Sequence, residues 1–150
     1  MRLSAKGRYA VMAMADLARH GGERAVCLAD IAERQEISLA YLEQLFARLR
    51  RSGLVTSVRG PGGGYRLARP AEDISVGSVV AAVDEPLHAT RCDAESGVGC
   101  LSKGDRCATH HLWQALGDEI EQFLEGVTLA DVIARRIPRR SARAAIEAAA

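Results

Sequence analysis

Apolar residues recur at intervals of three and four along the first fifty positions, which is typical of amphipathic helices. This spacing predicts a first helix over residues 6–19, ended by His20-Gly21-Gly22. The apolar positions of this helix are Tyr9, Met12, Ala13, Leu17 and Ala18.

Two further helices are predicted close together. The first covers residues 28–35, and the next starts at Ser38, a good N-cap residue, and runs to about Arg51. Only Glu36 and Ile37 separate them, which is typical of a helix-turn-helix. The third helix carries an apolar stripe at Leu42, Leu45, Phe46 and Leu49.

A β-hairpin is predicted directly after these helices. Its strands cover residues 54–59 and 65–68, and the turn Gly60–Gly64 contains four glycines and one proline. Such a turn has little side chain, so its backbone can approach another surface closely. A helix-turn-helix followed at once by a basic hairpin predicts a winged helix.

The second half of the chain is again helical by its periodicity. Helices are predicted over residues 75–83 and 109–125, and Thr128 with Asp131 resembles a capping box at the start of a short last helix. Residues 135–150 are rich in arginine and alanine, without an apolar face, and are interpreted as a mobile basic tail.

These elements predict a mainly α fold with a small β-hairpin wing. Three parts are expected: a winged helix-turn-helix module over residues 1–70, a ligand loop with dimerisation helices over 71–134, and the tail. The long helix presents apolar residues that we expect to form a dimer interface, although it could instead pack only on its own chain. Those residues are Leu112, Leu116, Ile120 and Phe123.

The distribution of charged residues follows the same division of the chain. Residues 1–70 carry 12 Lys/Arg and 6 Asp/Glu, whereas residues 71–134 carry 3 and 12, although the whole chain has a net charge of +1. A basic N-terminal block suggests a face for a polyanion such as DNA, and a solvated basic surface is the simpler alternative.

Several function classes find no support in the sequence. No segment approaches the roughly 18 apolar residues of a membrane helix, and the first residues do not form a secretory signal. No nucleotide-binding loop and no Ser-His-Asp pattern is present, so an enzyme is not expected. We expect a cytoplasmic protein whose thiols stay reduced.

The third helix and the wing carry residues suited to DNA. The face opposite the apolar stripe can reach base edges or phosphate through Ser38, Ala40, Tyr41, Gln44 and Arg48. Glu43 either accepts from a cytosine amine and filters sequence, or is simply solvated. At the wing tip, Arg59 beside Gly60 could enter a narrow minor groove. Phosphate contacts are expected from Arg2, Lys6, Arg50, Arg51 and Arg66.

Three cysteines and a histidine lie within one glycine-rich stretch. Cys92, Cys100, Cys107 and His110 follow the spacing C-x7-C-x6-C-x2-H. Soft thiolates and an imidazole grouped in a reducing compartment indicate a metal site. A Cys3His zinc site uses the same ligands but usually has tighter pairs. Cys27 lies far away in sequence and is interpreted as a small core residue.

Over residues 1–134 the chain resembles the IscR-like iron–sulfur transcriptional regulators. The segments that carry the resemblance are Met1-Arg-Leu-Ser-Ala-Lys-Gly-Arg-Tyr-Ala-Val, Ile37-Ser-Leu-Ala-Tyr-Leu-Glu-Gln-Leu-Phe, Val58-Arg-Gly-Pro-Gly-Gly-Gly-Tyr and Cys107-Ala-Thr-His-His-Leu-Trp. The resemblance implies a homodimeric winged-helix regulator that binds palindromic double-stranded DNA. It also implies a 2Fe–2S cluster on the four ligands, whose occupancy selects promoters, commonly those of iron–sulfur assembly genes.

Two departures from the family pattern matter. Ala40 stands where a serine is expected, so one hydroxyl contact is missing. The ligand spacing is longer than the C-x5-C-x5-C-x2-H of the family's namesake, and it resembles iron- and nitric-oxide-sensing relatives that favour a 4Fe–4S cluster. The Cys-x-x-His ending and the long shared segments favour 2Fe–2S.

Overall fold

The computed structural model describes residues 4–83 and 99–139, which form a mainly helical fold with one antiparallel hairpin. Its elements are α1 (Ala5–His20), α2 (Leu28–Gln35), α3 (Leu39–Arg51), β1 (Val55–Val58), β2 (Gly64–Leu67), a 3₁₀ turn (Ala71–Asp73), α4 (Val76–Ala82), α5 (His110–Glu125) and α6 (Leu129–Ala134). The winged helix-turn-helix predicted from the sequence is confirmed.

Side-chain caps set the start of several helices. Ser38 caps α3 by accepting a hydrogen bond from the Tyr41 amide. The capping box before α6 is also confirmed, because Thr128 accepts from the Asp131 amide and Asp131 accepts from the Thr128 amide. The hydrogen bonds from the Thr128 amide and hydroxyl hold the pKa of Asp131 below its ordinary value.

The core lies around α1, which packs against α2, α3, α4 and α6. Its largest fully buried side chains include Phe46, Met14 and Leu17. Ile74, Val79, Val83 and Leu129, from the second half of the chain, join the same cluster. The helix-turn-helix therefore rests on a frame that both halves of the sequence build.

A buried carboxylate connects α1 to α2. The Asp16 side chain has no exposed surface and accepts hydrogen bonds from Arg34 Nη2 at 2.7 Å and Gln35 Nε2 at 2.7 Å. Burial raises the pKa of Asp16, but the hydrogen bonds from Arg34 and Gln35 and the charges of Arg34 and His20 outweigh it and lower the pKa below its ordinary value. Asp16 thus stays ionised and holds α2 against α1.

The wing is fixed to the helices at its base. Val26 pairs with Tyr65 through two backbone hydrogen bonds of 2.8 and 2.9 Å, and the Tyr65 ring meets Phe46 of α3 edge-on at 4.9 Å. Gly64 lies so close to the Val26 backbone that a side chain there would overlap the Val26 carbonyl. The hairpin therefore projects from a rigid base beside α3.

Cys27 corrects one sequence prediction. It is the N-cap residue of α2 and is exposed, so the interpretation as a core residue is wrong. The buried positions of α2 are Leu28 and Ile31, and the residue before the helix faces outward.

In the described ranges, no helix is long and apolar enough to cross a membrane.

Candidate functional site

The outward face of α3 is polar and open to solvent. Ser38, Ala40, Glu43 and Gln44 are exposed, while the apolar stripe of the same helix is fully buried against the core. Tyr41 and Arg48 are half-buried on the flanks of this face. A helix presented in this way has the size and chemistry to enter a DNA major groove.

Two residues that shape this face, one on α3 and one on α1, were missed by sequence reasoning. Leu39 is 42% exposed in the first turn of α3, where it could contact a thymine methyl group. Tyr9 of α1 meets Tyr41 edge-on, with ring centroids 5.9 Å apart, and limits where Tyr41 can point. Helical periodicity had marked Tyr9 only as a core position.

The wing tip exposes Arg59 and Gly60 on a turn that only glycine can form easily. Gly60 and Gly62 have φ values of 100° and 72°, and the Gly63 amide donates to the Gly60 carbonyl at 2.9 Å. The tip is therefore compact, and Arg59 is its exposed cation. The structure places it on the same hairpin as the exposed Arg66.

The other basic residues predicted to contact phosphate lie, where the structure describes them, on α3 and α1. Arg50 and Arg51 are exposed at its C-terminal end, where Arg51 Nε donates to the Ala47 carbonyl at 3.3 Å. Lys6 is half-buried in the first turn of α1. Arg2 lies outside the described residues.

Two of the four predicted metal ligands meet at the start of α5. His110 is only 7% exposed, and its Nδ1 atom lies 3.2 Å from Cys100 Sγ. The neighbouring His111 is exposed. The Cys100 loop is held by a turn in which Leu101 donates to the Asp105 carbonyl at 3.0 Å. Gly99 packs against that turn so tightly that a side chain would overlap the carbonyls of Gly104 and Asp105.

Cys107 lies one turn before His110, whose amide donates to the Cys107 carbonyl at 3.1 Å. Across residues 4–83 and 99–139, no three cysteine, histidine or acidic side chains converge closely enough for a complete metal site. Cys92 lies outside those ranges. Two sulfurs and a buried imidazole are the donor set expected for iron or zinc, and the Cys100–His110 pairing fits ligation of a common centre.

The apolar side of α5 is open to solvent. Leu112, Trp113, Leu116 and Phe123 are 60%, 40%, 38% and 39% exposed, and Ile120 is half-buried. At its C-terminal end the helix is anchored to α4, where Ser75 Oγ donates to Glu125 Oε2 at 2.7 Å. Apolar patches of this kind mark interaction surfaces in soluble proteins.

Comparison with known proteins identifies close relatives. The model of the Rrf2 family, described as an iron-dependent transcriptional regulator, matches residues 3–135. The HTH-type transcriptional regulator IscR of Serratia proteamaculans (strain 568) is 58% identical over 133 residues, which are 89% of this chain and 79% of that protein. The protein of the same name from Yersinia pestis is 56% identical over the same shares.

Solved structures of similar proteins share the fold. T. potens IscR is 39% identical, with a TM-score of 0.72 over 96% of each chain. CymR (YrzC), the global cysteine regulator of B. subtilis, is 31% identical, with a TM-score of 0.75 over 90% of this chain and 98% of that one.

Proposed function

The chain belongs to the Rrf2 family of transcriptional regulators, and on that premise we propose that it is a homodimer that senses iron–sulfur status through a 2Fe–2S cluster. It is a DNA-binding regulator of the IscR type and not an enzyme. We further propose that Cys92, Cys100, Cys107 and His110 hold the cluster. The genes that it controls are expected to serve iron–sulfur assembly or iron homeostasis.

The observation that carries the proposal is the 3.2 Å approach of Cys100 Sγ to His110 Nδ1. These residues are ten positions apart in sequence, and they meet beside Cys107 at the start of α5. In the proposal, Cys92 completes the set. A cluster held by these residues would be present or absent according to the supply of iron and of oxidants. Its histidine ligand would raise the reduction potential relative to a cluster held by four cysteines.

The chain's own residues connect this site to the DNA-binding face. Cys100 and His110 fix the N-terminal end of α5, while Glu125 fixes the C-terminal end to Ser75. A change at the ligands therefore acts on a helix that is attached to the same frame as α3. We propose that this is how ligand occupancy alters promoter choice.

The exposed apolar side of α5 supports the proposed homodimer. A second copy would cover Leu112, Leu116, Ile120 and Phe123 with the same residues, as a two-fold interface requires. Two copies would then present two α3 helices and two wings to a palindromic site, with half-sites separated by about one helical turn or a multiple.

Anaerobic purification with counts of iron and sulfide tests the proposed cofactor. We expect a coloured protein with about two irons and two sulfides per chain. A count of four irons and four sulfides per chain would indicate a 4Fe–4S cluster in place of the 2Fe–2S cluster, in a regulator of otherwise the same design. A colourless protein with one zinc per chain would overturn the sensor proposal and leave a zinc-stabilised DNA-binding protein.

Arg59→Ala tests the role of the wing. We expect DNA affinity to fall about tenfold or more on sites with a narrow A/T minor groove and much less on G/C-rich flanks, because a narrow groove attracts arginine. The measurement is fluorescence anisotropy on matched duplexes at one salt concentration. Arg66→Ala on the same hairpin is the control, and its loss should be uniform. Equal losses for Arg59→Ala on all duplexes would make Arg59 a phosphate contact instead.

A further inference from the structure

Thr109 uses its hydroxyl differently from the other hydroxyl-bearing N-cap residues of the described helices. Ser4, Ser38, Ser75 and Thr128 each accept a hydrogen bond from a backbone amide of the helix that they begin. Thr109 is the N-cap of α5 but makes no such bond. A residue type favoured for capping therefore stands at a helix start where its hydroxyl makes other contacts.

The Thr109 hydroxyl lies between a tryptophan and a cysteine. Trp113 Nε1 donates to Thr109 Oγ1 at 3.2 Å, and Cys107 Sγ lies 3.6 Å from the same oxygen. An indole N–H can only donate, so the Thr109 oxygen accepts from Trp113 and its single proton is free for another partner. A ligand thiolate can only accept a hydrogen bond, so a Cys107 sulfur that acts as a ligand would receive that proton.

We propose that Thr109, oriented by Trp113, is a positioning residue that hydrogen-bonds the Cys107 sulfur and tunes the reduction potential of the cluster. This inference rests on the proposed function, because it takes Cys107 as a ligand. A hydrogen bond to a ligand sulfur stabilises the more negative, reduced state of the centre and so raises its potential. It also fixes the direction of the Cys107 side chain.

Three variants separate this role from a structural one. Thr109→Val removes the hydroxyl with little change in shape, Thr109→Ser keeps it, and Trp113→Phe removes the indole N–H that orients it while keeping an aromatic ring. Because Thr109 does not cap α5, the helical circular dichroism of Thr109→Val should match the parent chain. The potential is read by reductive titration of the visible absorption of the reconstituted protein.

We expect Thr109→Val to shift the oxidised-to-reduced ratio about tenfold towards oxidised at a fixed potential, which is 59 mV for one electron. Thr109→Ser should restore the parent value, and Trp113→Phe should give a smaller shift in the same direction. In the metal-free protein, the emission of the single tryptophan should change in Thr109→Val but not in Thr109→Ser.

Two outcomes would overturn the inference, and they are distinguishable. An unchanged potential in Thr109→Val with full iron and sulfide content would reject the hydrogen-bond role and leave the proposed function intact. Failure of the parent chain to bind iron and sulfide at all would reject the proposed function and this inference together.

Discussion

A Cys100→Ala variant is expected to lose the proposed iron–sulfur centre and keep the fold. Removing groups that merely support a ligand typically costs 10- to 100-fold in metal affinity, so loss of a direct ligand should cost on the order of 100-fold or more. Iron per chain should fall below about a tenth of the parent value. Iron and sulfide counts on anaerobically reconstituted protein check this, with thermal unfolding as the measure of stability.

The Cys100→Ala variant should keep the ability to bind DNA, because the ligand loop does not form part of the core that supports α3. Cys100 is half-buried on a loop next to α5 and is no part of the core beneath α3. The variant should therefore still bind DNA but should bind only the promoters that tolerate the cluster-free form. Cys92→Ala is expected to behave in the same way.

The matched control is Cys27→Ala, which removes an exposed cysteine from the N-cap of α2. It should retain the full iron content. If Cys100→Ala kept its iron, or bound every site as the iron-loaded parent does, the ligand set or the switch would lie elsewhere.

Local signals in the sequence were sufficient for the elements of the fold. The three- and four-residue spacing of Leu42, Leu45, Phe46 and Leu49 identified the buried side of α3, and the same stripe is fully buried in the structure. Ser38 and Thr128 marked helix starts to within one residue, because a cap depends only on neighbouring backbone amides. Such features are encoded by contacts within a few residues.

Contacts between distant residues were not predictable in this way. Asp16 and Arg34 are 18 positions apart, and periodicity assigns neither a partner. Cys27 was misplaced because residue type alone suggests burial, whereas its position before α2 faces it outward. The Cys100–His110 approach was anticipated only as a shared ligand set, and the Thr109 hydroxyl was not anticipated at all, because its partners depend on how the loop meets α5.

Arg34→Ala is expected to destabilise the winged-helix module by roughly 2 kcal/mol at neutral pH. Breaking a buried ion pair typically costs 3–5 kcal/mol, because a charge is left without its partner. The lower figure applies here because the Arg34 side chain is 34% exposed and Gln35 still hydrogen-bonds Asp16. Urea unfolding followed by circular dichroism measures the change. Arg19→Ala, at an exposed position in the last turn of α1, is the matched control and should lose only a few tenths of a kcal/mol.

The pH dependence of this loss distinguishes an ionic junction from simple packing. The folded-state pKa of Asp16 lies below its ordinary value of 3.8, so the unfolded chain binds more protons between these two values and stability rises with pH there. The contribution is complete above about pH 5 and is lost as pH falls through the folded-state pKa. In Arg34→Ala, burial still raises the pKa of Asp16 while its main opposing partner is gone, so protonation of Asp16 in acid relieves the unpaired charge and the loss of stability should shrink as pH falls. A loss of stability that was equal at pH 3 and pH 7 would show instead that Arg34 contributes through its apolar stem, and that the charge of Asp16 does not hold α2 in place.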